Sequence, residues 1–172
     1  MSEEKLNLLL LLPLLLASVQ LQASIKRDKS CLTDAPKGKK VYCSADACSI
    51  NSSARVNSYR GHVKVIQGKS VLTAEYIVSY GDVTGSIVKW VAIGHPASYR
   101  AILAHKNIRF VATARTLYYY PQQERLEAIG DATITRGQTY LKGPNISYDF
   151  AKKLLETPFS KKGHTEIAFL AQ

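Results

Sequence analysis

From about residue 47 onward the chain alternates apolar and polar residues in short runs cut by Gly, Pro, Asn and Asp, and such a chain can bury its apolar half only as antiparallel strands. In His62–Gln67, Val63 and Val65 fall on one face and His62 and Lys64 on the other. Similar runs are Val71–Tyr80, Ile87–Ile93, Ala97–Leu103, Ile108–Ala114, Leu117–Tyr120, Arg125–Ile129, Ala132–Arg136, Asn145–Phe150 and Thr165–Leu170. Turn signals separate them at Gln67-Gly68-Lys69, Tyr80-Gly81-Asp82, Gly94-His95-Pro96, Gly130-Asp131, Arg136-Gly137-Gln138 and Gly143-Pro144. Only Asp149–Leu155 carries even a weak helical period.

A repeat lies inside this pattern. RGHVKVIQGKSVLTAEYI (60–77) aligns with IGDATITRGQTYLKGPNI (129–146) at an offset of 69, matching Gly61 to Gly130, Gly68 to Gly137, Leu72 to Leu141 and Ile77 to Ile146. A weaker middle copy contains Gly94 and then Ala114, Leu117 and Tyr119, spaced as Gly143, Ile146 and Tyr148 are. One hairpin cannot bury its own apolar face, so the units must stack and share an interior. The expected fold is all-β, an elongated and rolled antiparallel sheet. Val63, Val65, Ala132 and Ile134 lie on its lining face, and His62, Lys64 and Thr133 on its wet face.

The net charge of +10 favours an anionic partner: nucleic acid, an acidic membrane face or a phosphorylated lipid. Residues 1–23 narrow the choice. The leucine-rich run Leu6–Leu16, broken by Asn7 and Pro13, is short for a membrane span and reads as the apolar core of a secretory signal peptide cut after Ala23. Its acidic start, Glu3 and Glu4 against Lys5, is unusual for an export signal and keeps a retained anchor open. Export argues against nucleic acid. So does the scatter of the basic residues, whose lysine doublets are Lys39-Lys40, Lys152-Lys153 and Lys161-Lys162. Residues 24–46 are polar and basic and are expected to form an extension, partly ordered at best, ahead of a β domain at 47–172.

Of three cysteines, Cys31, Cys43 and Cys48, an oxidising compartment allows two to pair, forming a local staple near the mature N-terminus. Their spacing lacks the C-x2-C element of a zinc site, and His62, His95, His105 and His164 sit in separate runs. No nucleophile elbow, metalloprotease helix or phosphate loop is present, so neither an enzyme nor a cofactor is expected. Asp131 and Asp149 occupy turn positions, Glu75 is a lone strand acid, and Tyr119 is expected to pack while Tyr118 and Tyr120 face water.

The ordered elements G-H-V-K-V-I-Q-G (61–68), L-T-A-E (72–75), G-H-P-A-S-Y (94–99), A-I-G-D-A (128–132), G-P-N-I-S-Y-D (143–149) and F-S-K-K-G-H-T (159–165) resemble the LptA (OstA-like) family over roughly residues 47–170. The chain departs from that family in the cysteine-bearing extension. It departs again at Cys48–Ser53, where the family more often has two apolar residues and an acidic-Ser-Asp run. The resemblance implies a jelly-roll-like trough holding the acyl chains of lipopolysaccharide (lipid A) in the periplasm. It also implies head-to-tail joining to LptC-like and LptD-like folds, or to further copies, through sheet edges. Carried onto the alternation, the implied lining is Ile50, Val63, Val65, Leu72, Ile77, Tyr99, Leu117, Tyr119, Leu126, Ala132, Ile134, Leu141, Ile146 and Tyr148. Two alternatives stay open. One is an LptC-like, membrane-tethered member of the same fold; the other is a structural or adhesive secreted β-repeat protein with a filled interior. The small residues Ala74, Ala114, Ala128 and Ala132 favour an open groove over a filled one.

Overall fold

The alternating runs do form strands, and most are longer than the turn signals predict. The computed structural model describes residues 30–33, 40–103, 107–158 and 163–169. The expected signal peptide and its alternative as an anchor, residues 1–23, lie outside these, as does His105. The strands are β1 (Ser30–Thr33), β2 (Val41–Ser44), β3 (Ala47–Asn51), β4 (Val56–Gln67), β5 (Ser70–Gly81), β6 (Ile87–Leu103), β7 (Ile108–Tyr120), β8 (Arg125–Arg136), β9 (Thr139–Asp149), β10 (Leu154–Glu156) and β11 (Glu166–Ala168). They form one antiparallel sheet in the order β1-β2-β4-β5-β6-β7-β8-β9-β10, with β3 also beside β4 and β11 also beside β9. Where a weak helix is expected at Asp149–Leu155, the chain turns into β10. The Asp149 carboxylate accepts the Lys152 backbone N–H at 2.8 Å, the local bond that Asp offers a turn.

Several expected turns are instead bulges within continuous strands. Gly94-His95-Pro96 lies inside β6 and Gly130-Asp131 inside β8, so each neighbouring pair of predicted runs is one strand. Register breaks fall between Arg60 and Val63, Thr73 and Tyr76, Ile93 and Ala97, Thr113 and Thr116, and Ile129 and Ala132. These positions are mutual partners across the sheet, so the breaks line up as a crease from β4 to β9. At each of β4, β6 and β8 the bulged strand has more residues than its partner, which bends the strand and sharpens its twist. Gly61 (φ +75°) and Gly130 (φ +80°) occupy equivalent places in this crease, and the residue after each, His62 or Asp131, also has a left-handed φ. The 69-residue repeat is thus a repeat of crease-bearing hairpins.

The crease divides the sheet into two half-sheets that fold face to face. β2 and β11 extend one half, pairing with Lys64–Gln67 and Tyr140–Lys142; β3 and β10 extend the other, pairing with Val56–Arg60 and Ser147–Asp149. The boundary expected at residue 47 therefore shifts toward the N-terminus. β2 belongs to the sheet, with Val41 and Cys43 buried and Tyr42 exposed. The basic residues before it conceal an alternation only four residues long. Asp46, in the link from β2 to β3, crosses the crease. Its N–H donates to the Gly61 carbonyl at 3.0 Å and its carboxylate meets His62 Nδ1 at 2.8 Å. Glu75 with His95 (3.3 Å) and Arg115 with Asp131 (2.9 Å) make two further exposed pairs along the same line. Asp131 and Glu75 thus face side-chain partners across the crease.

A Cβ on Gly61 would lie 2.2 Å from Asp46 Oδ2, whereas one on Gly85, also at positive φ (+81°), would meet nothing within 4 Å. Both Ala variants should bear the left-handed backbone cost of about 1–2 kcal/mol. Gly61→Ala should cost more, because Asp46 must also swing off His62. Urea unfolding of the two variants checks this ordering, and equal losses would mean that the Asp46 contact contributes nothing.

Candidate functional site

The inner faces of the two halves meet in a wedge. Beside the crease the inward positions of one half include the small residues Ala97, Ala114 and Ala132, while on the other Ala92 and Ala128 alternate across the strands with Ile77, Leu117 and Ile146, all of them buried. Farther out lie Ile134, Leu141 and Phe110 on one half and Leu126 and Tyr148 on the other. The buried alanines are packed within this interior and do not line an open groove.

Of the expected lining, Val63, Val65, Leu72, Ile77, Tyr99, Leu117, Leu126, Ala132, Ile134, Leu141, Ile146 and Tyr148 are buried together in this interior, and Tyr119 packs against them half-buried. Ile50 is the exception. It lies on edge strand β3, whose residues are all exposed, and is itself 56% exposed. Alternation on a strand with a single neighbour gives phase but no burial. Trp90 is in the core against Tyr59. Tyr118 and Tyr120 are half-buried on the outer face.

Away from the crease the halves part into a cleft of about 690 Å³. Its floor is aromatic and joins the two halves. Tyr99 packs on Tyr119 (5.2 Å between ring centres) and Phe150 (6.0 Å), and Phe110 packs on Tyr148 (4.8 Å) and Phe150 (5.1 Å). Such ring pairs contribute beyond their area, about 0.5–1.5 kcal/mol each. Tyr99 donates its hydroxyl to Ser70 Oγ at 3.2 Å. Arg136, Glu124 and Lys153 stand at the rim. Arg136 was hidden in a turn signal, although it keeps the inward phase of Ala132 and Ile134. A smaller void of about 20 Å³ lies deeper, among Val65, Leu72, Trp90, Tyr99 and Tyr119.

The chemistry of this interior is that of a container. Burial raises the pKa of Tyr59, Tyr99, Tyr119 and Tyr148, with the nearby Arg136 charge opposing the rise at Tyr148. Among the described residues no group of three or more His, Cys, Asp or Glu side chains could hold a metal, and no helix is long and apolar enough to cross a membrane. Cys48 is disulfide-bonded, while Cys43 is a free thiol buried beside Tyr59.

The family model described as LptA/(LptD N-terminal domain) LPS transport protein matches residues 42–154. The lipopolysaccharide export system protein LptH of Pseudomonas aeruginosa is 28% identical over 111 residues, which are 64% of this chain and 63% of that protein. The match thus spans less than two thirds of that relative's length. The crystal structure of LptH, described as the LptA-homologous periplasmic component of the conserved lipopolysaccharide transport device, superposes with a TM-score of 0.71 at 21% identity. It covers 81% of this chain and 99% of that one, a likeness of fold.

The buried thiol sets an upper pH limit on the fold. Burial pushes the Cys43 pKa from 9.0 up to about 11. The unfolded chain therefore loses this proton first. The associated stability is complete below pH 9 and is lost as pH climbs toward 11. Melting temperature should fall over that window, and Cys43→Ala should flatten the early part of the fall. In native protein at pH 8, iodoacetamide should leave Cys43 unmodified; rapid labelling there would contradict its burial.

Proposed function

Because the chain belongs to the LptA/(LptD N-terminal domain) family of lipopolysaccharide transport proteins, we propose that it binds lipopolysaccharide acyl chains between its half-sheets and bridges the periplasm from inner to outer membrane. The observation that carries this reading is the continuous apolar inner face, hinged at the crease and open at its mouth over an aromatic floor. Water makes such a container necessary. Each exposed CH2 costs about 0.8 kcal/mol, so a twelve-carbon chain costs on the order of 10 kcal/mol bare. A lined groove removes that barrier with no bond made or broken. A membrane-tethered, LptC-like role differs only in whether residues 1–23 are retained, and N-terminal sequencing of the mature protein separates the two.

A photo-crosslinker at buried Val65 should capture lipopolysaccharide in cells, and one at exposed Lys64 should not. Equal capture at both positions would refute the inner face as the binding surface. Mass spectrometry of natively purified protein should find lipid A.

The partners proposed are LptC-like and LptD-like folds, or further copies, docking on the sheet edges. β3 and β11 support this reading because each is exposed and pairs with a single strand, leaving backbone N–H and C=O groups for an added strand. Ile167 is 59% exposed on β11. Ala168→Pro, opposite Tyr140, should remove one ladder donor and weaken association while leaving the interior folded. Sedimentation across a concentration series reads the effect; a wild type that stays monomeric and takes no partner end would remove the basis for bridging.

A further inference from the structure

The inward run of β8 passes from Leu126 and Ala128 through Ala132 and Ile134 and then ends on a cation, Arg136. Arg136 Nε is buried in the wall of the cleft with no hydrogen-bond partner, and so is the hydroxyl of Tyr148, a residue only 1% exposed. A buried guanidinium N–H without an acceptor costs the full desolvation of the group. Two such donors lining one cleft, one from each half-sheet, are explained if an acceptor enters from outside. Lys153 lies on the same rim and adds a second positive charge; Glu124 is the opposing carboxylate. Asp149, next to Tyr148, is already engaged by the Lys152 N–H and ammonium. Below the rim, Tyr99, Tyr119 and Phe150 present ring faces and edges, with the Tyr99 hydroxyl already engaged by Ser70. Anionic acceptors are wanted at the rim and hydrocarbon below it.

We propose that this cleft is a phosphate-reading subsite, in which Arg136, Tyr148 and Lys153 hold the phosphate of a phosphorylated lipid whose chain lies on the aromatic floor. The proposal rests on the half-sheets holding lipid and adds to it a fixed position for the head group. A phosphate presents several acceptor oxygens to the planar Arg fork and can satisfy the Tyr148 hydroxyl as well. A neutral lipid of equal length offers hydroxyl and ester oxygens to these donors but no charge to pair with the guanidinium and the ammonium.

Calorimetry with the intact mature protein tests this, using lysophosphatidic acid below its micellar concentration, the matching monoacylglycerol and inorganic phosphate. Lysophosphatidic acid should bind tightest, and inorganic phosphate alone should not compete at equal concentration. Arg136→Gln should weaken lysophosphatidic acid by roughly 10- to 100-fold while leaving monoacylglycerol unchanged, which also reports an intact fold. Glu124→Gln should tighten lysophosphatidic acid by removing the opposing charge. Salt should weaken the phosphorylated lipid selectively in wild-type protein, a readout that needs no variant. Equal affinity for the two lipids, with no effect of Arg136→Gln, overturns the subsite but leaves lipid holding intact. Inorganic phosphate binding as tightly as the phosphorylated lipid makes this a free-phosphate site and also overturns the proposal. Binding of neither lipid overturns both.

Discussion

The crease governs everything else in this molecule. A flat sheet of these strands would leave one apolar face in water, and bending each strand at the same level lets that face close on itself. The bend depends on extra residues in β4, β6 and β8 and on left-handed φ values at Gly61, His62, Gly130 and Asp131. It has its own outer fittings, the pairs Asp46–His62, Glu75–His95 and Arg115–Asp131, all exposed and each of small energetic weight. The inner closure does the stabilising, because the buried aliphatic and aromatic residues of both half-sheets pack into one interior.

Much of this was legible in the sequence because a period of two is hard to disguise. The inward phase of Val63, Val65, Leu72, Ala132, Ile134 and Leu141 follows from alternation, and all six are buried. Bulges were not legible as bulges, because Gly94-His95-Pro96 and Gly130-Asp131 have the composition of turns. What separates a bulge from a turn is whether the strand continues to pair beyond it, a tertiary property. The phase survived the misassignment because each half-strand kept its own alternation. β2 was missed for a different reason: four residues after a basic stretch carry too little pattern, and Val41 and Cys43 are buried through what they meet on β4. Ile50 failed in the opposite direction, an apolar residue in phase on a strand with nothing stacked over it.

Arg136, the group proposed to meet a phosphate, illustrates how a binding residue can hide from pattern. A cation at an inward position breaks the apolar run, and in a sequence it reads as the run's end. In the folded chain it remains in phase and stands at the lip of the interior, beside a tyrosine that is apolar in bulk and polar at its tip. Departures from a local rule concentrate where a protein meets its ligand.

Bending every strand at one level also ties the width of the interior to a single angle. The outer ends of the half-sheets lie some five or six residues from the crease, about 17–20 Å of strand. A difference of about 10° in that angle corresponds to roughly 3 Å at the mouth and to very little beside the crease. Width at the mouth is therefore a matter of the angle between the half-sheets, and a small change of angle is magnified with distance from the crease.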